Sequence, residues 1–113
     1  MTGRRTNTHL SGVQLQSLHQ DLTEQLEQRR LHLDGLREQE RDSNGGDGTW
    51  QELMVSVTAA ERAVTELSQA TDRLVAGTYG RCTHCEAGIP FERLKIRPLA
   101  RTCINCQRQH EVA

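Results

Sequence analysis

Four cysteines constrain the fold of this chain more than any other residues. They are the only cysteines among 113 residues, and they form two C-x-x-C pairs, Cys82–Cys85 and Cys103–Cys106, separated by seventeen residues. Each pair places two thiols on one tight turn, and the spacer is long enough to return the second turn to the first. This spacing is typical of one tetrahedral zinc ion with four sulfur ligands.

Other uses of these cysteines fit the sequence less well. Paired disulfides need an oxidising compartment, and residues 1–7 contain no apolar signal segment. A redox C-x-x-C motif needs only one pair, within a βαβ pattern. No βαβ pattern surrounds either pair here. His84 and His110 could replace a sulfur, but with four thiolates available we expect both to be surface residues. Four thiolates also close the coordination sphere, so the zinc is predicted to be structural.

The composition indicates an elongated or metal-stapled protein. Hydrophobic residues make up 35% of the chain and aromatic residues 3%, which is too little for a thick globular core. No apolar run approaches the length that crosses a membrane, so we expect a soluble cytoplasmic protein with no membrane contact.

Charge is distributed unevenly along the chain. Residues 11–76 carry twelve acidic and six basic side chains, whereas residues 79–113 carry three acidic and six basic ones. The acidic part disfavours contact with nucleic acid phosphates, so direct DNA binding is not expected. Four basic residues of the second part could form a patch beside the zinc, or a merely solvated surface. They are Arg93, Lys95, Arg97 and Arg101.

Leucines at helical spacing predict a long first helix. They recur at intervals of three, four and seven residues on one face, with polar residues between them and no proline. These are Leu15, Leu18, Leu22, Leu26, Leu33 and Leu36. Ser11 is the expected N-cap, and the helix should run to about Arg41, a rod of roughly 45 Å.

A second helix is predicted after a glycine-rich break at residues 42–48. Thr49 and Glu52 read as a capping box at its start. Gly77 suits the left-handed position after its end. The apolar heptad between them alternates steps of four and three. It consists of Leu53, Val57, Ala60, Val64, Leu67, Thr71 and Leu74.

Matched apolar stripes on two helices predict an antiparallel coiled-coil hairpin. A longer parallel homodimer would require a helical tip at a cost of about 3 kcal/mol for three glycines, so we expect a monomer. The predicted fold class is mainly all-α. It comprises a disordered segment 1–10, a hairpin 11–77 with tip loop 42–48, and a four-cysteine zinc finger with a short C-terminal helix over 78–113.

Three residues at the tip are candidates for partner contact. Asp42 and Asp47 flank the glycines, where acidic side chains also serve simply to bond the turn backbone. Trp50 could cap the end of the helical seam or project as an aromatic anchor. No nucleophile with a base, phosphate-binding glycine motif or open metal site is evident, so we expect no enzyme activity.

The residues around the cysteines also follow a specific longer pattern. The first part is Tyr79-Gly80-Arg81-Cys82-Thr83-His84-Cys85, and the second is Cys103-Ile104-Asn105-Cys106-Gln107. Between them stand Ile89, Arg93-Leu94 and Pro98. This pattern and its seventeen-residue spacer resemble the DksA/TraR family of bacterial zinc-finger transcription regulators.

The resemblance implies that the protein binds RNA polymerase. Family members insert the coiled coil into the secondary channel, where acidic tip residues alter open-complex stability. The best-known tip reads D-x-x-D-x-A. The corresponding positions here are Gln39, Asp42 and Asn44, so one of the three agrees. The resemblance therefore predicts polymerase binding by a divergent tip.

Family members often act together with the alarmone ppGpp. The positions that correspond to its basic contacts are Ala59, Glu66 and Gln107, none of which is basic. We therefore do not expect synergy with ppGpp. Two other functions stay open at this point: a zinc-finger nucleic-acid binder, and an interaction module that uses the tip for another partner.

Overall fold

The computed structural model describes residues 9–42 and 48–112 as four helices. Two long helices, α1 (Gly12–Asp42) and α2 (Gly48–Ala76), pack against each other as an antiparallel hairpin. The finger that follows contains two short helices, α3 (Phe91–Ile96) and α4 (Ile104–Val112). The predicted fold class is confirmed. The molecule is elongated, measuring 55 × 37 × 21 Å.

A reciprocal pair of hydrogen bonds begins α1. The backbone N–H of Gln14 donates to the Ser11 hydroxyl, and the N–H of Ser11 donates to the Gln14 side-chain oxygen, both at 3.0 Å. Ser11 is therefore the N-cap, as predicted, within a capping box that Gln14 completes.

A left-handed glycine ends α2. Gly77 has φ 86, and its N–H donates to the Leu74 carbonyl while the Thr78 N–H donates to the Arg73 carbonyl. These two bonds form a Schellman motif, which turns the chain toward the finger. At its other end α2 begins at Gly48, so Thr49 lies inside the first turn rather than before it.

The helical seam is divided into two apolar clusters. The one nearer the tip contains Leu33, Leu36, Val57 and Ala60, with Leu53 and Val64 beside them. The other, at the base, joins the hairpin to the finger. Ala70 is fully buried there, whereas the heptad had placed Thr71 on the seam. Ala70 belongs to the basal cluster that includes Tyr79, Ile89 and Leu94, so packing of the finger buries it.

An ion pair joins the finger to α1 in addition to the shared apolar core. The Lys95 ammonium lies 2.6 Å from the Asp21 carboxylate and 2.9 Å from the Ser17 hydroxyl. Both charged side chains are about one-third exposed, so the pair contributes at most about 1 kcal/mol. Its main effect is to orient α3 on α1.

Two residues of the segment that was predicted to be disordered, His9 and Leu10, have defined contacts. Residues 1–8 lie outside the described part of the chain, but His9 and Leu10 pack on the finger. Leu10 is buried in the basal core, and His9 Nε2–H donates to the Ile89 carbonyl at 2.5 Å. A Cβ at Gly88 would lie 2.5 Å from the His9 ring, so a larger residue there would displace this ring from its position on the finger. The prediction of disorder to residue 10 is wrong for these two residues, because their partners are distant in sequence.

None of the helices described for residues 9–42 and 48–112 combines the length and the apolar character that a membrane-spanning helix needs.

Candidate metal centre

The first cysteine pair lies on a turn that backbone hydrogen bonds close. The Cys82 N–H donates to the Ala87 carbonyl at 2.8 Å, and the Glu86 N–H donates to the Cys82 carbonyl at 2.9 Å. An isolated antiparallel bridge between Arg81 and Gly88 closes the base of this turn. The turn holds both thiols on the same side.

The second pair stands at the start of α4. Cys103 directly precedes the helix, and the Gln107 N–H donates to the Cys103 carbonyl at 2.9 Å. A bond from the Thr83 N–H to the Arg101 carbonyl, 2.8 Å long, joins the two turns. The Arg93 side chain supports the second turn by donating to the Thr102 carbonyl.

The four sulfur atoms have the spacing that a zinc ion requires. All lie within 4.8 Å of one another, and the Cys85 and Cys103 sulfurs are 3.7 Å apart. Tetrahedral zinc with bonds of about 2.3 Å separates its sulfur ligands by about 3.8 Å. His84 is exposed and outside this group, and the His110 side chain lies outside the described residues. The four cysteines are thus able to bind one zinc ion.

Backbone N–H groups favour the thiolate form at one cysteine of each pair. They lower the pKa of Cys82 to about 5, with the N–H of Cys85 as the main cause. The N–H of Cys106 likewise lowers the pKa of Cys103. Hydrogen bonding to the Cys103 and Cys82 sulfurs raises the pKa of Cys106 to about 12, and bound zinc would displace that proton.

Tyr79 connects the finger to the hairpin base. Its ring is buried, and its hydroxyl donates to the Pro98 carbonyl at 2.8 Å. Burial raises the pKa of Tyr79 to about 12, partly offset by the Arg73 cation. The folded protein therefore favours the neutral phenol.

Replacing Tyr79 by phenylalanine is expected to cost about 1 kcal/mol, because the Pro98 carbonyl loses its buried donor. Wild-type stability should also fall between pH 10 and about 12, where the unfolded phenol ionises and the folded one does not. Tyr79→Phe should lack this Tyr79-dependent loss. Denaturant unfolding at pH 8 and pH 11 measures both effects, and Tyr79 is the only tyrosine, so absorbance at 295 nm reports its titration. A pKa near 10 in the folded protein would contradict the assignment.

The predicted basic patch is only partly assembled. Three of its members, Arg93, Arg97 and Arg101, line an open groove of about 630 Å³ between the hairpin and the finger. Lys95 is not among the lining residues and contacts α1 instead. Glu66 and Gln107, two of the positions compared with ppGpp contacts, line the same groove.

Two of the three predicted tip residues lie at the opposite end of the hairpin from the cysteines. Asp42 is the exposed last residue of α1, and Trp50 is half-buried in the first turn of α2. Asp47 lies in residues 43–47, outside the described part of the chain. The structure thus places Asp42 and Trp50 at one end and leaves their joint role as a prediction.

A second cluster of basic residues, which the sequence did not predict, lies beside the metal centre. Arg73, Arg81 and Arg101 line a cavity of about 360 Å³ that also reaches Cys82. Arg73 had been counted only among the charges of the acidic hairpin. The sequence feature that could have indicated its location is that Arg73 stands four residues before Gly77, in the last turn of α2.

Comparison with known proteins identifies the family. The model of the prokaryotic dksA/traR C4-type zinc finger matches residues 77–112. An uncharacterized protein of Haemophilus influenzae is 31% identical over 61 residues, which are 54% of this chain and 81% of that protein. The chain belongs to the DksA/TraR family. Its zinc cofactor follows from a C4-type finger whose four cysteines converge.

The fold of this DksA/TraR protein matches a solved structure along nearly its whole length. The structure of transcription factor DksA2 from Pseudomonas aeruginosa aligns with a TM-score of 0.83, covering 96% of this chain and 91% of that one. Sequence identity is 21%, so this likeness establishes the shared fold alone.

Proposed function

We propose that this protein is a transcription regulator that binds RNA polymerase by placing the tip of its hairpin in the secondary channel. The observation that carries the proposal is a slender acidic hairpin fixed to a DksA/TraR-type finger. The structural relative from Pseudomonas aeruginosa is described as a transcription factor, which supports the same role.

The hairpin has the shape and charge for a narrow channel. Its helices contain 31 and 29 residues, which at about 1.5 Å per residue gives roughly 45 Å of reach. Acidic side chains outnumber basic ones twelve to six between residues 11 and 76. Such a surface complements a pore with magnesium and basic groups at its floor.

The basal core makes the hairpin and the finger one rigid unit. Leu18 and Leu22 of α1 pack in the same cluster as Ile89 and Leu94 of the finger. A partner that holds the finger would therefore also set the direction in which the hairpin points. Cys82, Cys85, Cys103 and Cys106 would hold the zinc. The ion supplies a structural crosslink, since its four ligands leave no position for substrate.

The test is binding of the zinc-loaded protein to core RNA polymerase. Wild type is compared with the triple variant Asp42→Asn/Asp47→Asn/Trp50→Ala. We expect at least about tenfold weaker binding for the variant, because contact residues at an interface centre dominate its affinity. Fluorescence anisotropy of labelled protein against polymerase concentration gives both dissociation constants.

A matched control changes the same kinds of residue away from the tip. Glu24→Gln/Glu27→Gln/Leu31→Ala removes two carboxylates and one exposed apolar side chain from the outer surface of α1. We expect less than about threefold weakening, as for peripheral contacts. Equal losses in the two variants would mean that the tip is no specific contact. No saturable binding by wild type would contradict the proposal.

The arginine groove favours nucleic acid as a second candidate partner. Arg93, Arg97 and Arg101 could contact backbone phosphates there. Affinity for duplex DNA that falls steeply with salt, and is weakened by Arg97→Gln, would support this candidate. Weak binding that Arg97→Gln does not change would exclude it.

A further inference from the structure

A cavity beside the metal centre is lined by positive side chains from three parts of the chain. Arg73 comes from the last turn of α2, Arg81 from the lead-in to the first knuckle, and Arg101 from the lead-in to the second. The hydroxyl residues Thr78 and Thr83 also line this cavity. Its volume of about 360 Å³ is within the range of small-ligand sites.

Arg73 is held in place and partly removed from water. Its carbonyl accepts hydrogen bonds from the N–H groups of Thr78 and Tyr79, which fix its backbone. Burial lowers the pKa of Arg73, and the neighbouring Arg101 cation lowers it further. Both effects disfavour the charged form of the guanidinium group. An arginine nevertheless stays protonated, so the charge remains in the cavity wall.

No side-chain carboxylate compensates these two cations directly. Within residues 9–42 and 48–112, none forms an ion pair with Arg73 or Arg101. Arg101 instead donates to the side-chain oxygen of Gln69 at 3.0 Å. The Glu86 carboxylate and the sulfur of the zinc ligand Cys82 also line the cavity, so its three arginines exceed its negative groups by one charge. Partly buried charges of one sign are stabilised by a bound counter-ion.

We propose that this cavity binds a phosphate-sized oxyanion, either the free ion or the phosphoryl group of a small monoester. Guanidinium groups match the oxygen geometry of phosphate and bind it through paired N–H donors. The Thr83 hydroxyl can donate to a remaining oxygen, whereas the Thr78 hydroxyl donates to the Arg73 carbonyl. The site is distinct from the groove of Arg93 and Arg97, although Arg101 lies on the wall of both. The proposal does not depend on polymerase binding.

Calorimetric titration of the full-length, zinc-loaded protein tests this site. The probes are inorganic phosphate and phenyl phosphate, with chloride adjusted to hold the ionic strength constant. We expect one anion per chain and binding at least about tenfold weaker in Arg73→Gln, which removes a charge-assisted contact. Arg73→Lys should bind with intermediate affinity, because it keeps the charge without the planar fork.

Arg97→Gln is the matched control, since it removes the same charge from the neighbouring groove. It should change the phosphate affinity less than about twofold, as expected for a screened charge outside the site. Tighter binding of phenyl phosphate would identify a monoester as the ligand, and tighter binding of inorganic phosphate would identify the free ion.

Three results would overturn the proposal. The first is the absence of saturable binding at one anion per chain, and the second is an equal loss of affinity in Arg73→Gln and Arg97→Gln. The third is unchanged phosphate binding in Arg73→Gln together with faster loss of zinc to a chelator. In that case the arginines serve as counter-charges for the zinc–thiolate centre.

Discussion

Replacing Cys82 by serine is expected to remove the zinc ion and unfold the finger. In zinc-finger peptides, metal binding supplies about 10–16 kcal/mol, and this energy is also the folding energy. Few other interactions could keep the finger folded without zinc, because its described regular structure comprises two short helices and one isolated bridge. Zinc content by mass spectrometry and amide dispersion in NMR spectra measure the loss.

The location of Cys82 makes this substitution more severe than loss of a sulfur alone. Cys82 is 1% exposed and belongs to the basal core with Leu18 and Leu22. Disorder should therefore spread from the finger into the lower hairpin, while the cluster around Leu33 and Val57 remains packed. Amide exchange should be accelerated at the base first.

Two further variants complete this experiment. Cys103→Ser removes a half-buried ligand at the edge of the basal core and should also lose the zinc, with less damage to the core than Cys82→Ser causes. His84→Ala lies between two cysteines of the first turn and should keep one zinc per chain. Folded Cys82→Ser and Cys103→Ser proteins that each retain one zinc would contradict the assignment of the four ligands.

Replacing Leu94 by alanine is expected to lower the free energy of unfolding by about 2–5 kcal/mol. Leu94 has no exposed surface and lies in the core shared by the finger and both long helices. Its side chain also stands near Gly80, beside Leu10, so truncation leaves a cavity where three segments meet. Denaturant unfolding of the zinc-loaded protein measures the change.

Ile96 provides a control within the same short helix. It is 80% exposed, so Ile96→Ala should change stability by no more than about 0.5 kcal/mol. Similar losses in Leu94→Ala and Ile96→Ala would mean that α3 does not pack as described. Under the proposed function, Leu94→Ala should also weaken polymerase binding, because a loosened finger no longer directs the hairpin.

Much of the fold could be predicted because its determinants are local. The leucine spacing defines α1, and Gly77 defines the end of α2, since helix periodicity and left-handed backbone depend on nearby residues. The four metal-binding cysteines were found for the same reason, because two turns of fixed spacing carry the information. The capping box of Ser11 and Gln14 is local too, because the two residues stand three positions apart.

Contacts between distant segments were decided by the tertiary structure alone. Leu10 and His9 have no periodic neighbours, and their partners on the finger lie some eighty residues away along the chain. Lys95 reads as one of four similar basic residues until α3 packs against α1 and brings it to Asp21. Arg73, Arg81 and Arg101 converge only because the metal centre folds the chain back to the end of α2. Sequence by itself determined the helices, their seam and the zinc ligands, whereas long-range packing determined which charges are shared, buried or left to bind an anion.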